Sequence, residues 1–426
     1  MSDLLPRVQR RAGRLLRQLV PHNLRFRPVG VHGSSQQLAA HPGSGATYRE
    51  IYPAYLSQWP VTDKLYAQIS DYGGLHAKPN RTEKQPAAFV LTLEQGRLLA
   101  DNTLSVAVLS ADNKLVGDAS FQYDVARADL ARPEDNTIFG QRWFKAPVQV
   151  RGTVCSLLSG GGAATGNYYH WLIDSLPRLH LVQEAGLWES IDYFLIYDKK
   201  RQFVVDSLLA LGIRSEQIVD VSTHGHLVAD RLLVTSPVRG QGTHNPEWAC
   251  DFLRQALLPA AAPQQFSPYV YLSRRDAPGR HVLNEDHVEE MLAPYGFESH
   301  VLSDYTFTQQ IALFAGAKMV VAPTGAGLAN LVFAPVGTPV IEMFPKHFTV
   351  MEYPELCYRL GLSHQFLVSE PVAGPIKSRR EAWSEHLLVN LETLKQELRH
   401  ASSFPRVATV LCLTEFPDMS AFVSPV

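Results

Sequence analysis

Apolar residues follow two rhythms along the chain. Between residues 46 and 150 they form short runs at 87–93, 104–109 and 148–150. Turn signals at Gly73 and Gly74, Pro79 and Asn80, and Asp112 and Asn113 separate them, which predicts an irregular β-containing region. Beyond that the pattern alternates. Strands are predicted over 193–196, 218–221 and 232–234, and a helix over 203–211 closes at Gly212. Breaks at 236–246 and 259–268 flank a helix over 247–258. The scheme then repeats, with strands over 269–272, 300–302, 319–321 and 340–343 and helices over 285–292, 307–314 and 326–331. Alternating units of this length predict an α/β fold with parallel sheets covered by helices. Two such domains in succession would place a cleft between the carboxyl edges of their sheets. The segmentation expected is a leader at 1–45, a first domain at 46–240, a second at 241–400 and a tail at 401–426.

The length of 426 residues agrees with two domains, because single cores stop growing at roughly 250–300 residues. Hydrophobic residues make up 46% of the chain, which excludes a mostly disordered protein. A net charge of −2 argues against a dedicated nucleic-acid binder, but it hides an asymmetry. Residues 1–27 hold seven arginines against one acid, Asp3, so a +6 leader precedes a body of −8. No apolar stretch follows that leader and none of 18 residues occurs elsewhere, so neither a secretory signal nor a membrane span is expected. Leu4, Leu5, Val8, Leu15, Leu16 and Leu19 would give a helix with one apolar and one arginine side, suited to anionic lipid. The four scattered cysteines show no paired spacing and read as buried thiols in a reducing compartment.

Four stretches carry candidate chemistry. In the first, a glycine-rich run from Ser159 to Gly166 leads into a helix capped by Thr165 or Asn167. On that helix His170 and Asp174 are i,i+4 neighbours, a carboxylate beside an imidazole that suits general-base work on a hydroxyl. Pro177 then ends the helix and leaves Arg178 near its end. In the second, a strand passes through Thr324, Gly325, Ala326 and Gly327 directly into a helix, whose N-terminal amides suit a phosphate. In the third, Glu342 ends an apolar strand one β-α unit later, where it would accept ribose hydroxyls. In the fourth, Arg274 and Arg275 follow a strand at the sheet edge and offer guanidinium groups to a diphosphate. No Asp-x-Asp pair occurs to hold a divalent ion, and GxSxG is absent.

Taken in order, these stretches resemble glycosyltransferase family 61, the DUF563-type proteins. The matching text is GNYYHWLIDSLPRL at 166–179, YLSRRD at 271–276 and GAGLANLVFAPVGTPVIEMFP at 325–345. The resemblance implies a GT-B-like arrangement of two Rossmann-type domains and inverting, metal-independent transfer from a nucleotide-sugar, with no cofactor. It implies that Arg274, Arg275, Thr324, Gly325, Ala326 and Gly327 hold the donor diphosphate and Glu342 the nucleoside. Gly166, Asn167, Tyr169 and Arg178 would line the acceptor side, with Asp174 or His170 as the base. The family often has histidine before Gly-Ala-Gly, where this chain has Thr324. The acceptor expected is a hydroxyl of a glycan or lipid-linked glycan of a bacterial surface polysaccharide. A cytoplasmic enzyme is expected, its leader resting on the inner membrane face. A non-catalytic nucleotide-sugar-binding protein of the same fold is the alternative.

Overall fold

The computed structural model describes residues 23–70, 81–102, 104–124, 129–240, 242–370, 372 and 378–403. Most of the basic leader, the turns at Gly73, Gly74 and Pro79–Asn80, Cys412 and most of the expected tail lie outside these residues.

The chain is mixed α/β and builds two large sheets. In the first, Val148–Ser156 runs parallel to His226–Thr235 on one side and to Tyr193–Ile196 on the other, and Ile218–Asp220 follows in parallel. The region before residue 148 is not a separate layer. Its strands Ala88–Glu94 and Arg97–Asn102 pair antiparallel with His226–Thr235, and Ser105–Leu109 and Ala46–Tyr52 extend the same sheet. Burial explains this. Five successive residues of Ser105–Leu109 and six of Ala88–Glu94 are buried, so these runs are covered on both faces.

The second sheet is wholly parallel, in the order Phe297–Val301, Tyr269–Ser273, Met319–Pro323, Pro339–Phe344, Ser363–Val368. The third strand in the chain lies beside the first, and the second sits at the edge. Connections therefore leave in opposite directions on either side of the gap between Tyr269–Ser273 and Met319–Pro323. A crevice opens at the carboxyl ends of strands at such a switch point. Arg274 and Thr324 are the first residues beyond those two strands. The last strand, Ser363–Val368, is absent from the sequence expectation because only Phe366 and Leu367 in it are fully buried.

The largest apolar cluster lies between the sheets. It joins Leu172, Leu176 and Leu179 to Leu253, Phe314 and Leu331, so helices of both halves share one core. The Tyr168 hydroxyl donates to Asn330 Oδ1 across the same boundary at 2.6 Å. The expected helix after Gly325 is a 3-10 helix, Ala326–Phe333.

Candidate active site

The glycine-rich run positions an imidazole. Gly162 lies directly against His170, and a Cβ there would stand 1.9 Å from Cδ2 of that ring. Asn167 caps the following helix, its Oδ1 accepting from the Tyr169 and His170 amides at 2.9 and 3.5 Å. The helix then widens over Trp171–Ser175, where the Leu176 amide reaches back five residues to the Trp171 carbonyl. Widened turns of this kind recur at functional sites. His170 Nδ1 donates to Asp174 Oδ2 at 2.6 Å, while the half-exposed ring leaves Nε2 without a partner among the described residues.

Asp174 is also held by a residue that the sequence pattern missed. Arg239 follows strand His226–Thr235, and its Nε meets Asp174 Oδ1 at 2.7 Å and its Nη2 meets Oδ2 at 3.4 Å. The guanidinium lies 5.7 Å over the Tyr169 ring. Burial would raise the Asp174 carboxyl. The Arg239 charge and the His170 hydrogen bond outweigh it and hold that carboxyl well below the usual range. A carboxylate fixed in this way is a poor proton acceptor, whereas an imidazole with a free Nε2 is a competent one.

Of the residues expected on the donor side, Arg274, Thr324 and Gly325 meet at the switch point. Arg274 arches over Gly325, where a Cβ would come 1.8 Å from Nη1, so a side chain there would displace the guanidinium. Burial first, and then the charge of Arg280, lower the Arg274 guanidinium to about 10. Its Nη2 donates to the Gly279 carbonyl at 3.3 Å, its Nε has no partner, and no described carboxylate pairs with it. Arg280, also missed by sequence reasoning, adopts a left-handed φ of 60° and lies 4.9 Å over Phe348. Thr324 is buried, its amide donating to the Met343 carbonyl at 2.9 Å and its hydroxyl beside the Glu342 carboxyl. Ala326 and Gly327 begin the 3-10 helix, and Gly327 packs closely on Leu302.

Tyr353 stands between the two groups. Its ring meets Tyr169 edge-on at 5.6 Å, and its neighbours include Arg274 and Arg280. Imidazole and guanidinium pair thus flank one aromatic contact.

Several expected roles need correction. Arg275 is turned away and paired, its Nε with Glu285 at 3.0 Å and its other nitrogens with Asp286 and Glu289 at 2.9 and 3.0 Å. Those carboxylates occupy the donors that a diphosphate would need. Arg178 is buried and ties Asp174 O to Thr235, so it braces the helix instead of facing an acceptor. Glu342 is wholly buried and bonded to His364 Nε2 at 3.0 Å, so no ribose hydroxyl reaches it here. Burial raises its carboxyl, with His364 opposing the shift. Tyr169 is buried beneath Arg239 and lines no open surface. Gly166, at a left-handed φ of 78°, packs against the Arg201 guanidinium. Among the described residues no group of three or more His, Cys, Asp or Glu side chains is placed to hold a metal ion. Cys155, Cys250 and Cys357 are free and buried. No helix among the described residues is long and apolar enough to cross a membrane.

Part of the chain is similar to known proteins. Residues 168–341 match the model described as Glycosyltransferase 61. A stretch of 113 residues is 29% identical to protein O-linked-mannose beta-1,4-N-acetylglucosaminyltransferase 2 of Xenopus laevis, covering 25% of this chain and 19% of that relative. The chain therefore spans about a fifth of the curated relative's length. Two solved structures of the dodecameric, iron-containing glycosyltransferase TibC, from enterotoxigenic E. coli H10407, are 14% and 11% identical, with TM-scores of 0.24 and 0.25. Each match covers 63% of this chain and 79% of the other, and such scores carry no argument about the fold. Residues 168–341, which hold both the His170–Asp174 pair and the glycine turn beneath Arg274, are thus the part of the chain that is similar to glycosyltransferase family 61.

Proposed function

We propose that the protein transfers a sugar, with inversion and without a metal ion, from a nucleotide-sugar to a hydroxyl of a glycan or lipid-linked glycan. The observation that carries this reading is that the His170–Asp174 pair and the Arg274–Arg280 pair are linked through the buried Tyr169–Tyr353 contact. His170 Nε2 takes the proton of the acceptor hydroxyl as its oxygen attacks the anomeric carbon. The bond from that carbon to the donor phosphate breaks on the opposite face, and the electron pair leaves with the nucleoside diphosphate. Asp174 balances the imidazolium. Arg274, Arg280 and the amides at the start of Ala326–Phe333 stabilise the leaving diphosphate. Within this reading the two sheets form a GT-B-like pair, with the donor half beyond residue 240. The basic leader rests on anionic lipid at the cytoplasmic face, near lipid-linked acceptors.

A nucleotide-sugar panel tests the reading. A ligand at about 100 times its dissociation constant adds about 2.7 kcal/mol of stability, and the binding sugar is then assayed for transfer and product anomer. Binding without transfer or hydrolysis would instead make the protein a non-catalytic nucleotide-sugar binder. No shift with any UDP-, GDP-, CMP- or dTDP-sugar would refute both.

A further inference from the structure

Arg239 stands on a segment that does not follow the base helix. The Gly240 amide donates to Gln85 Oε1 at 2.9 Å, and the Thr243 and His244 amides donate to Glu83 at 3.2 Å. Asn245 is tied through its amide and side chain to Glu355 Oε2 at 3.1 and 2.6 Å. Glu355 belongs to helix Glu352–Arg359 of the second half, the helix that also presents Tyr353 to Tyr169. Arg239 further donates to the Gly242 carbonyl within its own strap. The guanidinium is thus an anchored object to which Asp174 must conform.

We infer that Arg239 is a positioning residue for the proposed base, fixing the Asp174 carboxylate so that Oδ2 meets His170 Nδ1 and Nε2 faces outward. The two-point contact with Asp174 sets the carboxylate plane, which a single ammonium group would not. It also offsets the carboxylate charge. Without Arg239, the buried carboxylate would draw a proton onto the His170–Asp174 pair at higher pH, and a protonated pair accepts nothing from a hydroxyl. The other groups facing the pair are Tyr169 on its own helix, Arg178 on the next, and Glu352 and Tyr353 across the boundary. Among them, Arg239 alone bonds to the carboxylate oxygens through a positive charge, because Arg178 meets only the Asp174 carbonyl.

This inference rests on the transferase reading only for its kinetic test. In Arg239→Met the acidic limb of kcat/KM for the acceptor is expected to move up by about one pH unit or more, with donor KM unchanged. Arg239→Lys should restore the limb in part. An unmoved limb, or a loss confined to donor KM, would overturn the inference. Should Arg239→Met not fold, the double variant D174N/R239M removes both charges together. Its rate should lie within about threefold of D174N alone, because Arg239 acts only through Asp174. A double variant far slower than D174N would show a direct role on substrate and also overturn the inference. NMR titration of the ligand-free His170–Asp174 pair in wild type and R239K needs no substrate. Identical titrations would refute the inference whatever the protein catalyses, while absent transfer by wild type would refute the transferase reading alone.

Discussion

Replacing Arg274 with methionine is expected to stabilise the ligand-free protein and to abolish its response to a nucleoside diphosphate. Arg274 carries its charge in a crevice where no described carboxylate pairs with it, and burial together with Arg280 lowers it to about 10. For a base with a lowered folded value, the charged form is the disfavoured one. The cost is therefore full at neutral pH and is relieved only as pH rises through about 10. At about 1.36 kcal/mol per unit, carrying the charge costs roughly 3 kcal/mol. Methionine fills the stem's place but loses the bond to the Gly279 carbonyl, a loss of about 1 kcal/mol. The net gain expected is about 1–2 kcal/mol, read by urea unfolding at pH 7.5. Wild type should gain about 2.7 kcal/mol at 100 times the dissociation constant of UDP or its successful counterpart, and the variant almost nothing. A variant less stable than wild type without ligand, or one that responds equally to nucleotide, would refute the reasoning.

Gly162→Ala places a methyl 1.9 Å from His170 Cδ2 without requiring an unusual backbone angle. Transfer should fall on the order of a hundredfold as the imidazole is displaced, while circular dichroism and the melting curve stay near wild type. Tyr168→Phe removes the 2.6 Å bond to Asn330 between the halves and should cost about 1–2 kcal/mol in urea unfolding. Asp174 has a lowered carboxyl, so its contribution to stability is full above the ordinary carboxylate range and is lost as pH falls through its lower folded value. The stability difference between wild type and Asp174→Asn should accordingly shrink below about pH 4, as measured by urea unfolding across pH. A difference that grows on acidification would contradict the ion pair.

The parallel strands of the second half were legible because they are buried on both faces and read as short apolar runs between glycine and helix signals. Helix Glu285–Leu292 matches its expected bounds, and Phe307–Ala315 extends its expected end by one residue. The strands before residue 148 were seen only in part, since Lys114–Val116 and Gly30–His32 have three residues each and too little pattern to detect. Their membership of the first sheet depends on pairing with residues more than a hundred positions away.

The site divides in the same manner. The His170–Asp174 contact follows from helical geometry, because an i,i+4 pair meets wherever the helix forms. The glycine turn after Met319–Pro323 was equally local. Arg274 and Arg275 were indistinguishable in the sequence, yet adjacent residues leaving a strand turn to opposite sides. One enters the crevice and the other meets the acids of Glu285–Leu292. Local spacing therefore determined the order of elements, the imidazole–carboxylate pair and the glycine turn after Met319–Pro323. Only the tertiary structure decided which arginine faces that turn, that Glu342 is sealed against His364, and that Arg239 closes on Asp174 from 65 residues away. Charge compensation acts through space, and the distance between two charges is set by how the sheets and the strap between them pack.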